Sequence, residues 1–178
     1  TVTGNFFTFT IGKNNIKYMV LKTSETQIRN AITVNSYQNE QEVKGNLPSS
    51  IKSKWMNIKL IITPTSMTIY KDGVLLAENK NVTIKTSDLG TDLLAYLGKS
   101  FYSGDAYFKG YFDNVKVYNR ELTVQEIIAE SNRIKLSQLI AAYADINEAE
   151  YTYDSFNAFR MAYDQAVIVA NKADATDE

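Results

Sequence analysis

From Trp55 to Thr63 the apolar side chains fall on every second position. Met56, Ile58, Leu60 and Ile62 share one side, and Trp55, Asn57, Lys59 and Ile61 share the other. A period of two marks a strand with one face on a core and one facing outward. Such a strand cannot stand alone: its backbone groups need neighbouring strands, and its apolar face needs a second layer. The flanking sequence offers both. Met67 and Ile69 alternate with Thr68 and Tyr70, and Asp72-Gly73 then turns the chain into Val74 to Ala77. Asp-Gly suits the tight hairpin turn whose two central residues both take positive φ. Upstream, Phe6, Phe7, Phe9 and Ile11 end at Gly12. The run Ile16 to Leu21 is apolar on both parities, as in a strand covered on both faces, and Ile28, Ile32 and Val34 oppose Gln27, Arg29 and Thr33. Residues 45–54, with Pro48 and three serines, read as a loop, and further strands are expected at Val82–Lys85 and Leu93–Leu97. Short strands separated by frequent turn signals predict a mainly β fold, an antiparallel β-sandwich.

Beyond residue 107 the pattern continues and then changes. Val115 and Val117 alternate with Asn114 and Lys116, and Asp113 shares the parity of the valines. A strand here would aim a carboxylate at its apolar side, where it needs hydrogen-bond donors, a cation or a metal. Thr123 and Glu126 have the T-x-x-E spacing of a capping box, which opens a helix. From there the apolar spacing becomes three and four: Leu136, Leu139, Ile140, Tyr143 and Ile146. After a break at 147–151, Thr152 caps a second stripe of Phe156, Phe159, Tyr163, Val167 and Ala170. A small α-helical hairpin is therefore expected after the sandwich. Residues 175–178, Ala-Thr-Asp-Glu, read as a cap with no helix after it.

The 178 residues contain neither cysteine nor histidine. This removes disulfides, thiol nucleophiles, serine–histidine triads and the usual zinc ligands. The net charge of -1 gives no electrostatic case for nucleic acid or an anionic membrane. No apolar run approaches the roughly 20 residues needed to cross a bilayer as a helix. Carboxylate chemistry is what remains, and no acid pair stands out. Glu40 and Glu42 share a parity on a charged hairpin that reads as a solvated edge, and Asp88, Asp92 and Asp105 lie in loops, where turn formation is their common role. Binding is better served. Sugars are held by aromatic faces flanked by amide and charged groups. Trp55, Asn57 and Lys59 stand in line on one sheet face, with Tyr70 on the hairpin partner and Arg29 as a neighbour. Tyr102, in the loop 101–107, is a second candidate. Against this stands the plainer reading, in which Trp55 anchors a sheet edge and Tyr70 packs on it.

Three stretches carry a family resemblance: KSKWMNIKLIITPTSMTIYKDGVLLAEN, AYLGKSFYSGDAYFKG and GYFDNVKVYNRELTVQEI. Together they resemble the laminin-G-like, concanavalin A-type jelly rolls that accompany bacterial glycoside hydrolases, over residues 5 to 130 or so. The resemblance implies a jelly roll over 1–131 that lacks its N-terminal strands, with Asp113 at the position of a structural calcium. The tail LSQLIAAYADINEAEYTYDSFNAFRMAYDQAVIVANKADATDE is similar to the FIVAR helical repeat of bacterial surface proteins, which implies a module over 132–178 lacking its third helix. The missing strands would come from a second polypeptide. The implied setting is a secreted or wall-attached enzyme of the family 43 type, acting on arabinan or a related polysaccharide. In it this chain would be non-catalytic, binding glycan beside a catalytic domain of the same parent or bracing that domain. The rival expectation is an adhesive or structural spacer that binds no sugar.

Overall fold

The computed structural model describes residues 6–50 and 52–172. The chain divides between Leu122 and Thr123 into two compact units. In the first, the described residues form eight strands: β1 (Phe6–Gly12), β2 (Tyr18–Thr23), β3 (Gln27–Thr33), β4 (Gln41–Asn46), β5 (Ile58–Ile62), β6 (Met67–Lys71), β7 (Val74–Asn79) and β8 (Leu94–Leu97). One sheet runs β4-β3-β2-β1-β8 and the other β5-β6-β7. Every pairing is antiparallel. The expected mainly β sandwich is the fold that forms.

Parity decides what lies between the sheets. Met19, Leu21, Ile28, Ile32 and Val43 from the larger sheet meet Met67 and Ile69 from the smaller, with Ile58, Leu60 and Ile62 packed against them. Ile28, Ile32, Met67 and Ile69 are wholly buried. Truncating any of these to Ala costs about 2–5 kcal/mol, through lost transfer energy and the cavity left behind. The β6–β7 hairpin turns at Asp72 and Gly73, whose φ values of 52° and 83° are both positive, as the tight turn demands. Strand β4 also reaches β7: Asn79 Nδ2 donates to Glu42 O at 2.8 Å, and a Cβ on Gly45 would run into the Leu76 side chain.

Two expected strands do not form. At Val82–Lys85 the backbone amides find other acceptors. Gln41 Oε1 accepts from Thr83 N at 2.7 Å and from Ile84 N at 3.1 Å, and Val82 N donates to Thr65 O. With its donors satisfied, the segment needs no ladder. Residues 107–122 also lack regular structure, which corrects the strand expected through Asp113. The rings of Phe108 and Phe112 lie tilted against each other with centroids 4.7 Å apart, and a Cβ on Gly110 would lie 2.6 Å from the Phe108 ring, so the chain folds tightly on itself here. Asn114, at φ 51°, then interrupts the extended run. Val115 and Val117 are exposed, as is Asp113. Period two states which side chains would share a face; it does not supply a neighbouring edge.

The second unit holds helices α1 (Val124–Ala142) and α2 (Tyr153–Ala170). The capping box forms in both directions: Thr123 Oγ1 accepts from Glu126 N, and Glu126 Oε2 accepts from Thr123 N at 2.8 Å. Thr152 Oγ1 accepts from Ser155 N. Because α1 starts at its cap and continues unbroken to Ala142, the helical unit begins ahead of residue 132. On α2 the rings of Phe156, Phe159 and Tyr163 follow one another at 6.0 and 5.8 Å. No helix among the described residues is long and apolar enough to cross a membrane. The cap signal at 175–178 and anything before Asn5 lie outside the described residues.

Candidate functional site

The outward parity of the five-stranded sheet gathers groups from three strands and two loops. Register places Val20 opposite Ala31 and Ala31 opposite Glu42; beside them Lys22 faces Arg29 and Arg29 faces Lys44. Arg29 is the hinge of this face. Its Nε donates to Glu42 Oε2, and its Nη2 donates to Glu40 Oε2 at 2.5 Å. Lys44 Nζ stands 2.8 Å from Glu42 Oε1, and the Tyr18 hydroxyl donates to Glu40 Oε1 at 2.6 Å.

From Tyr18 the network passes to aromatic rings. Tyr102 meets Tyr18 edge-on, centroids 6.0 Å apart and planes at 89°, and Tyr37 meets Tyr102 at 6.5 Å. These are the edge-to-face arrangements that aromatic quadrupoles favour. The Tyr102 hydroxyl donates to Asn15 O at 2.9 Å and lies 3.3 Å from Ser36 Oγ, so the loop is tied to two hairpin turns. Phe101 and Tyr102 lie over Tyr18, Val20 and Ala31, and so roof one part of the face. Tyr37 stays 65% exposed. The result is one connected row: Tyr37, Tyr102, Tyr18, Glu40, Arg29, Glu42, Lys44.

Charge along the row is fixed by contact. Burial, then the hydrogen bond to Glu40, pushes the Tyr18 phenol well above its ordinary range, so it remains a donor. Burial alone would lower the Arg29 guanidinium, but the bonds to Glu40 and Glu42 outweigh it and hold the cation. Lys44, and Arg29 after it, hold the Glu42 carboxyl below its ordinary range against the opposing effect of burial. A glycosidase-type general acid needs the reverse, a carboxyl raised until it carries a proton at neutral pH. This row offers ring faces and, at Glu42, an ionised acceptor instead.

The other outer face holds most of the residues first suspected. Lys59 lies opposite Tyr70, and Tyr70 opposite Leu75. Lys59 Nζ donates to Asn57 Oδ1 at 2.6 Å, and Asn57 N donates to Asp72 Oδ1 at 2.8 Å. Trp55 precedes β5, is 60% exposed, and tilts against Tyr111 with centroids 6.3 Å apart. Arg29 does not join this group; it belongs to the other sheet, where it shares the row with Tyr102. Asp113 does not turn inward, and its Oδ1 accepts from the amide of Asn114 at 2.8 Å. Calcium takes six to eight oxygens, mostly carboxylate and carbonyl. Among the described residues no group of three or more acidic, histidine or cysteine side chains could hold a metal.

Tyr18, Tyr37, Glu40 and Glu42 escaped the sequence reading as site residues. Glu40 and Glu42 looked like a solvated edge because their partners sit across strands. A signal did exist: opposite charges at alternate positions of two adjacent antiparallel strands, Arg29 on one and Glu42 on the other, are placed to pair.

Residues 1–128 match the family described as the concanavalin A-like lectin/glucanases superfamily. The chain is 35% identical over 141 residues to an alpha-L-arabinofuranosidase of Bifidobacterium longum subsp. longum, a match covering 72% of this chain and 13% of that enzyme. Among solved structures, the CBM40 of a Ruminococcus gnavus IT-sialidase bound to alpha2,3 sialyllactose superposes with a TM-score of 0.62 at 15% identity, over 74% of this chain and 76% of that one. The same CBM40 described without the sugar gives a TM-score of 0.60 at 14% identity, with the same coverage.

Proposed function

Because the chain belongs to the concanavalin A-like lectin/glucanases superfamily, we propose that it is a non-catalytic carbohydrate-binding region of a larger extracellular glycoside hydrolase. The Tyr37-to-Lys44 row is its glycan platform, and arabinan-type chains are its first ligands to try. One observation carries this reading: an exposed tyrosine continues directly into a hydrogen-bonded line of phenol, carboxylate and guanidinium on an open sheet face. Ring faces stack on the apolar side of a sugar, and ionised acceptors receive its hydroxyls. The similarity to an arabinofuranosidase of which this chain spans 13% supports the setting of an accessory region. In this reading the two helices are a FIVAR-like spacer towards the rest of the parent.

The test is titration calorimetry against arabinan, xylan and mucin-type oligosaccharides. Tyr37→Ala is expected to weaken binding by about tenfold, the loss of one aromatic contact. Trp55→Ala is expected to leave it unchanged. Equal affinity in Tyr37→Ala, or loss confined to Trp55→Ala, moves the platform off this sheet. Binding to no glycan favours the spacer.

A further inference from the structure

Resting on that reading of the face, we propose that the row selects uncharged sugars and turns acidic ones away. An acidic sugar is best held by a guanidinium with an open fork, which grips a carboxylate through two parallel hydrogen bonds. The Arg29 fork is already engaged on two sides, by Glu42 at Nε and by Glu40 at Nη2. The other cations of the face are engaged as well: Lys44 sits on Glu42 Oε1, and Lys22 has a partner of its own. A shallow depression beside the row is lined by Lys22, Ser24, Gln27 and Arg29. To turn its fork to an anion Arg29 would have to give up one of these carboxylates, leaving Glu42 to Lys44 alone or Glu40 to the Tyr18 hydroxyl alone.

The acceptors are what remain on offer. Each oxygen of Glu40 and Glu42 has one donor in place: Tyr18 and Arg29 on Glu40, Lys44 and Arg29 on Glu42. An ionised carboxylate can accept about four hydrogen bonds. Room is therefore left for donors, and neutral sugar hydroxyls are donors where an added sugar carboxylate is not. Glu40 and Glu42 thus read a polyol and repel an acid, and they set specificity by occupying the one group that would have welcomed it.

The test uses the full chain and four probes. Arabino- and xylo-oligosaccharides are neutral; oligogalacturonides and 3′-sialyllactose are acidic. A neutral probe is expected to bind, with both acidic ones at least about tenfold weaker. Neutral binding should hold from low salt to about 0.5 M, since screening does not touch an uncharged ligand. The double variant Glu40→Gln, Glu42→Gln frees the Arg29 fork while keeping side-chain shape. It should lose neutral affinity and gain acidic affinity, the latter falling with salt. An acidic probe binding the native chain as tightly as a neutral one overturns the selectivity and leaves the glycan face standing. Failure of all four probes overturns both. If the double variant does not give a cooperative melt, the neutral-to-acidic ratio and salt series of the native chain decide alone.

Discussion

The two outer faces of this sandwich are built from the same alternation and end as opposites. On the three-stranded sheet, Lys59 bonds to Asn57 two residues earlier, Asn57 bonds to Asp72 at the hairpin turn, and Val74 and Leu75 are largely exposed. On the five-stranded sheet, outward residues reach across strands and loops into a single network. The difference lies in what each strand edge is near. Strands β2, β3 and β4 carry their charges at positions that register brings side by side, and a distant loop closes over one end. A face becomes a candidate site when its side chains are already held in place, because a ligand then meets groups whose ordering has been settled by folding.

The contrast can be broken by stability measurements. The largest expected effect is Arg29→Ala, which leaves Glu40 and Glu42 facing each other without their shared cation. Chemical denaturation should show a loss of about 1–3 kcal/mol. Should the loss be negligible, the network is decoration. Tyr18→Phe removes one donor from Glu40 and should cost about 0.5–1.5 kcal/mol. Glu42→Gln is expected to cost up to about 1 kcal/mol at neutral pH. Glu42 is held below its ordinary value of 4.5, so its contribution is complete above that value and disappears as pH falls through the lower folded one. Melting temperatures of the variant and the native chain should therefore converge in acid; a gap that persists there would mean packing and not charge. The smallest effect belongs to the opposite face. Leu75→Thr, at a position 53% exposed, should change stability by less than about 0.5 kcal/mol. A larger cost would show that this face is packed after all.

Much of the fold was legible because it rests on local rules. The parity of 55–63, the Asp72-Gly73 turn and the caps at Thr123 and Thr152 each express a preference within a few residues, and each holds. Segment 107–118 was misread because alternation says nothing about whether an edge is available, while the rings around Gly110 and the turned backbone at Asn114 compete with extension. The same limit hid Val82–Lys85, whose amides are met by the side chain of Gln41. The candidate site was legible in fragments. Arg29 and Tyr102 were singled out, but Arg29 was grouped with the face of the other sheet and Tyr102 stood as a separate loop candidate. What joins them depends on strand register and on loop contacts that no periodicity in the chain records.

The hydroxyl of Tyr102 touches Ser36 and Asn15, which lie 66 and 87 residues earlier. On a ribosome, strands β2, β3 and β4 can emerge and pair long before that tyrosine is made. The aromatic end of the row is thus assembled last, from a piece of chain that takes no part in the sheet beneath it. Changes in that loop therefore alter the aromatic end of the row, while the paired strands below keep their order.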